Sequence, residues 1–258
     1  MAPGPATQSA PKKRPRPSLT VTRCSIRARA DSCLPPILQK NAGYDPLASY
    51  DPIVLVAQSS NLMVVHPSLP VNSVQELVAY AKANPGKVNF SSGGIGVLPH
   101  LIGEWFKSAA SIDIVHVPYR GGGPSINDLL AGQVQMTFEG TSVLLPLIRS
   151  GTLRALATTS ATRIAELPNL PTMIESGFPG FVSTSWTGLL ASARTPGEVI
   201  DRLNTQMNEG LRSAELESAL AKLSNQPLGG TPHDFTQLIK SDIGKWAPIV
   251  KGLGLKPD

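Results

Sequence analysis

From about residue 52 onward, short apolar runs alternate with amphipathic segments, and glycine, proline or small polar residues separate them. Residues 52–57 and 62–67 read as two strands separated by the polar stretch 58–61. Ser73 and Glu76 make a capping box for a helix through Ala83, with Val74, Leu77, Val78 and Ala81 as its apolar positions. Asn84, Pro85 and Gly86 end that helix. A strand at 88–90 then runs into a glycine turn and a helix over 98–107. The alternation continues with a strand at 113–119, a tight connection at 120–124 and a helix at 125–131. A strand at 134–138, a helix at 142–150 and a strand at 153–159 close the series. Strands and helices alternating at this spacing predict an α/β domain with a largely parallel sheet.

The texture changes at 167–181, where Pro168, Pro171 and Pro179 punctuate a long connection. Residues 182–191 supply extended apolar sequence. Thr195, Pro196, Gly197 and Glu198 predict a helix with a cap, an early proline and a first-turn acid. A helical run follows at 214–223, and Thr231, Pro232, His233 and Asp234 repeat the starting signal for a long C-terminal helix. This later region reads as the body of a second domain.

The turn between residues 88 and 100 carries the clearest chemistry. After Ser91 and Ser92, Gly93, Gly94 and Gly96 let the backbone turn tightly and present N–H groups with no side chain in the way. The helix that follows adds its own unpaired N–H groups and positive end. Such a turn seats an anion, a carboxylate above all, and a phosphate fits the same donors. His100 lies one turn into the helix, beside that seat, whereas His66 and His116 fall in strand patterns.

Other chemistries find no support. There is no G-x-S-x-G elbow, no H-E-x-x-H, no C-x-x-C pair, no EF-hand loop, no Walker A sequence and no G-x-G-x-x-G spacing. The expectation is therefore no enzyme, no metal and no cofactor. Charge is uneven: the formal +5 includes seven basic residues and no acid within residues 1–30, so the remainder is near −2. The basic tail, rich in proline, alanine and serine, reads as disordered, and no nucleic-acid role is expected of it. Cys24 and Cys33 match no metal or redox spacing and leave both a disulfide and two separate thiols open.

The order of these signals from about Leu34 to Asp258 resembles the Bug family, the substrate-binding proteins of tripartite tricarboxylate transport systems. NLMVVHPSLPVNSVQELVAYAKANPGKVNF, SSGGIGVLPHLIGEWFK, DIVHVPYRGGGPSINDLLAGQVQMTFEG and LRALATTSATRIAELPNLPTM carry the resemblance, with SWTGLLASARTPGEVIDRLN and PLGGTPHDF beyond them. It implies an α/β fold like the type II periplasmic binding proteins, with two lobes closing on a small ligand. It divides the chain into a basic tail (1–33), a first lobe (34–61 and 160–258) and a second lobe (62–159). It also implies a monomeric receptor for a small carboxylate that hands its ligand to membrane transporter subunits. By this resemblance Ser91, Ser92, Gly93, Gly94 and Gly96 help hold the ligand carboxylate, joined by His100 from the reading above. Tyr119 and Gly121 border the cleft, and Glu139 stands where the family often has Asp.

The front of the chain departs from the family pattern. Members usually open with an export signal, a strand and a PFxPGGxxD turn that supplies the other half of the carboxylate clamp. Residues 1–33 hold neither, so the opening section of the first lobe is expected to be missing and the start truncated. The resemblance implies the periplasm, whereas the chain as written is expected to stay in the cytoplasm. A non-functional truncated receptor and an intracellular effector-binding regulatory module are the alternatives this departure raises.

Overall fold

The computed structural model describes residues 43–252 in full and residues 24–29 as backbone. In chain order its elements are β1 (Cys24–Arg29), β2 (Tyr50–Val65), α1 (Val74–Ala83), β3 (Val88–Ser92), α2 (Leu98–Ala110), β4 (Ile114–Pro118), α3 (Gly122–Leu130), β5 (Met136–Gly140), α4 (Thr141–Arg149) and β6 (Arg154–Thr158). β7 (Thr184–Ser192), α5 (Gly197–Leu211), α6 (Ala214–Lys222), β8 (Gln226–Gly229) and α7 (Pro232–Gly252) follow.

β2 organises the molecule. Its sixteen residues extend roughly 50 Å at about 3.4 Å per residue, enough to serve two sheets in turn. The first stretch, from Tyr50 to Ser60, pairs antiparallel with β7 and β8. From Asn61 onward it pairs antiparallel with β5 and β6, in the registers Asn61↔Gly140 and Leu62↔Thr158. β3 lies parallel between β4 and β5, which gives the second sheet the order β6-β2-β5-β3-β4. Four of these five strands run the same way, and β2 alone opposes them.

Packing follows the two-residue period of the strand. Met63 and Val65 face a core with Leu77, Phe90, Leu101 and Phe138 under α1 and α2. Leu62 and Val64 face the opposite layer with Ile126, Leu129 and Leu144 of α3 and α4. Ile53 and Val54 pack with Ile200 and Leu211 of α5 beside the first sheet. An aromatic group ties the layers together: Trp105 of α2 stacks on Phe181 at 3.9 Å and meets Trp246 of α7 edge-on at 5.8 Å.

Several sequence expectations need correction. Residues 58–61 do not separate a pair of strands; they are the middle of β2, and their polarity reflects the crossing between sheets, where Ser59 and Asn61 border a cavity. The 120–124 connection is shorter than expected, because Gly122, Gly123 and Pro124 are the first turn of α3. A first-turn proline loses no intrahelical bond there. Pro196, not Thr195, is the N-cap of α5; the Thr195 hydroxyl donates to the Ser192 carbonyl instead (2.7 Å). β8 has no counterpart among the expected strands, being four residues that run into two glycines. Within the segment read as a disordered tail, Cys24–Arg29 forms β1, which pairs along β7. The remainder of 1–33, the expected start of order near Leu34, and Cys33 lie outside the described residues.

Candidate functional site

Where β2 passes between the sheets, a cavity of about 700 Å³ opens between them. Ser59 of β2, Ser185, Trp186 and Thr187 of β7, and Asn225 form one wall. The other comes from the C-terminal ends of parallel strands and the helices that follow: Gly93, Val97 and Leu98 before and in α2, Gly122, Gly123 and Ile126 of α3, and Glu139, Gly140, Ser142 and Val143 around α4. Ligand sites of parallel sheets lie at such strand ends. Among the described residues, no lysine, arginine or histidine lines this cavity.

Three helices therefore point their N-termini into one cavity, and their chemistry differs from that of the other helices. Val97, Gly121 and Gly140 cap α2, α3 and α4 with no side-chain hydrogen bond, and none of the three has an acid in its first turn. Elsewhere the ends are satisfied internally. Ser73 Oγ accepts from Glu76 N–H at α1 (3.1 Å), Ser213 Oγ from Leu216 N–H at α6 (3.3 Å), and Thr231 and Asp234 form a reciprocal box at α7. α5 carries Glu198. Unpaired N–H groups and dipole ends directed at one space favour an anion there. One carboxylate is already present: Glu139 Oε1 accepts from Gly140 N–H (2.9 Å), and its Oε2 lies 3.7 Å from where a Cβ on Gly122 would stand.

The nine residues singled out from the sequence are brought together but play different roles. Gly93 and Glu139 line the cavity. Gly93 leaves little room for a side chain, since a Cβ would lie 3.0 Å from Gly122 N and 3.1 Å from Gly121 C. Its carbonyl accepts from Gly121 N–H (3.0 Å), so the two turns are stitched together. Ser92 Oγ donates to the Gly94 carbonyl (2.8 Å) and contacts His116 Nε2 (2.7 Å). With that proton committed, His116 Nε2–H is the donor to Ser92. Gly96 N–H donates to His100 Nδ1 (3.0 Å), and the His100 and His116 rings stack at 3.9 Å. Burial lowers the His100 pKa to about 4; burial, with His100 alongside, lowers that of His116 to about 3. Both imidazoles are thus neutral at pH 7 and serve the turn as fixed hydrogen-bonding groups. Ser91 is fully buried in β3. The Tyr119 hydroxyl donates to Asp128 Oδ2 (2.7 Å), and burial first, then Asp128, pushes its pKa up to about 12. Ser91, Ser92, Gly94, Gly96, His100, Tyr119 and Gly121 thus build the floor behind the wall.

The opposite wall was less visible from sequence. Ser185 Oγ donates to Asn61 Oδ1 (3.3 Å), joining β7 to β2 where β2 passes between the sheets. Trp186 is held by its indole N–H, which donates to the half-buried Asp242 carboxylate of α7 (2.6 Å). Burial raises the Asp242 pKa, and burial lowers that of Lys245, whose ammonium lies over the Trp246 ring at 4.8 Å and donates to the Val182 carbonyl. The polar stretch 58–61 was the one signal for this wall.

A second cavity of about 650 Å³ lies beside β6. The cation lining it, Arg154, donates to the Val71 carbonyl (2.8 Å), and the helix end that reaches it is α1, already capped by Ser73. It offers an anion much less.

The comparisons with known proteins fit this geometry. The family model described as tripartite tricarboxylate transporter family receptor matches residues 24–255. BugT of Bordetella pertussis is 35% identical over 219 residues, covering 85% of this chain and 67% of that protein. A Cupriavidus necator protein encoded in a gbd 5′ region is 32% identical over 212 residues, covering 82% of this chain and 64% of its own length. The chain thus spans about two thirds of the length of the curated relatives it matches. An R. palustris protein solved with adipate superposes with a TM-score of 0.83 at 33% identity, covering 91% of this chain and 79% of the other. Two sheets sharing one strand around a cleft are the type II periplasmic-binding-protein architecture, and this chain belongs to the tripartite tricarboxylate transporter receptors, the Bug family.

Proposed function

We propose that the chain is a solute receptor that binds a small carboxylate in the cleft between its sheets and works with a tripartite tricarboxylate-type membrane transporter. The observation that carries this reading is the convergence on one cavity of three helix N-termini whose N-cap residues make no side-chain cap and whose first turns hold no acid. Such a site holds an anion through neutral dipoles, which bind without the strong hydration of a lysine ammonium. Ser91, Ser92, Gly93, Gly94, Gly96, His100, Tyr119, Gly121 and Glu139 are the second-lobe side of the site, with Gly93 and Glu139 closest to the ligand. Val97, Leu98, Ile126, Val143 and Trp186 add apolar surface suited to an aliphatic chain. The adipate bound by the R. palustris relative is a solute of that class. The reading places the receptor in the periplasm, as its family implies, with no catalytic step of its own.

Calorimetric titration of the chain with four- to six-carbon carboxylates, against sugars and nucleotides, tests this. Saturable binding of carboxylates alone is expected. Binding of sugars or nucleotides, with no response to any carboxylate, overturns the proposal.

A further inference from the structure

Among the described residues, three buried side-chain groups have no hydrogen-bond partner: Asn61 Nδ2, Ser91 Oγ and Ser183 Oγ. Only Asn61 also lines the cleft. It is 1% exposed, and its other polar groups are fully used. Its carbonyl accepts from Thr159 N–H (2.9 Å) and Thr159 Oγ1 (3.1 Å), and its Oδ1 accepts from Ser185 Oγ (3.3 Å). Thr159 thus engages the main chain and Ser185 the side-chain oxygen, which leaves Nδ2 as the unmatched donor. An unmatched buried amide donor destabilises a fold, and folded proteins retain few of them without a use.

The position of Asn61 gives that donor a role. It pairs with Gly140, the N-cap of α4, at the edge of the sheet that faces the cavity. In the order β2-β5-β3, Gly93 stands two strands away along the same edge. Two strand spacings are about 10 Å. A ligand seated at the N-termini of α2 and α3 therefore reaches towards Asn61 with its other end.

We infer that Asn61 is a specificity-determining residue: Nδ2 donates to an acceptor oxygen at the far end of a ligand whose carboxylate sits at the N-termini of α2 and α3. The chain thereby selects linear dicarboxylates over monocarboxylates of equal length. This rests on the carboxylate reading above. A monocarboxylate presents a methyl group to Asn61, leaves the donor buried and unmatched, and is rejected for that reason.

The test is calorimetry with adipate and hexanoate, which differ only at the far end, on the parent chain, Asn61→Leu and Asn61→Asp, with thermal melts of each ligand-free protein. The parent is expected to bind adipate at least tenfold more tightly than hexanoate. Asn61→Leu should weaken adipate about ten- to a hundredfold, change hexanoate less than threefold, and melt no lower than the parent. Asn61→Asp should weaken adipate further than Asn61→Leu, through like charge. If Asn61→Leu melts lower, Asn61→Ser, which removes the amide without adding bulk, carries the same comparison. Adipate affinity within threefold of the parent in these variants, or equal losses for both acids, overturns the inference while leaving the carboxylate reading standing. A parent that binds no four- to six-carbon carboxylate overturns that reading, and this inference with it.

Discussion

Replacing Val97 by aspartate should separate stability from binding. Val97 is the N-cap of α2, with φ −74° and ψ 158°, the extended conformation from which a side chain reaches back to the helix. Leu98 and Pro99 follow, and since Pro99 has no N–H, the His100 amide is the donor that the introduced carboxylate would take. Filling such a cap is worth about 1 kcal/mol, or about 2–4 °C in the melting temperature of a domain this size. Some of that gain is offset by the loss of the half-buried valine's contacts. The same carboxylate enters the cavity wall that Val97 now forms. At about 5 Å from a bound carboxylate, with an effective dielectric of about 20, the repulsion is about 3 kcal/mol, a loss of more than a hundredfold in affinity. Val97→Asn makes the same cap without the charge and should bind within a few-fold of the parent. Calorimetry against adipate and a thermal melt on all three proteins provide the readout. Aspartate and asparagine variants of equal affinity would refute the claim that a bound anion sits beside the N-terminus of α2.

Two further outcomes follow from the buried groups. His100 and His116 are held at pKa values of about 4 and about 3, below the ordinary value of 6.5. The unfolded chain therefore takes their protons first, so their contribution is complete above about pH 6.5 and declines as the pH falls towards those values. Urea midpoints between pH 7.5 and 4.5 should drop, and His116→Gln should flatten that slope; an unchanged slope contradicts the neutral stacked pair. Asp242→Ala strands the Trp186 indole N–H and should cost about 1–3 kcal/mol in urea unfolding, whereas Asp242→Asn keeps an acceptor and should recover most of it. Equal losses would show that the indole bond contributes nothing.

The regions of the fold with short local periods are legible in the sequence. Alternation between strand and helix from 88 to 159 identifies the second sheet because each unit there is closed by its own glycine, proline or cap. β2 reads as two strands because a strand serving two sheets must change its burial pattern midway, and the polar 58–61 stretch imitates a loop. β8 has four residues and little apolar content, so its pairing with Leu55–Gln58 is a tertiary choice rather than a local one. The same division holds in the site. Glycines at a βα turn announce themselves, and the Gly93–Gly122 approach explains them physically. Asn61, Ser185 and Trp186 meet from β2 and β7, more than a hundred residues apart, through a crossing that no local spacing records.

The central claim, that the cleft holds a carboxylate by helix-end amides, is tested most directly by amide NMR during a titration with adipate. The account predicts saturable shifts at the amides of Gly93, Gly122, Gly123 and Ser142 and at the Asn61 side-chain NH₂, while residues beside β6 stay unmoved. Shifts confined to Asn72, Gln75, Arg154 and Asn169 around the second cavity, or no saturable shift at the glycine amides, would contradict it.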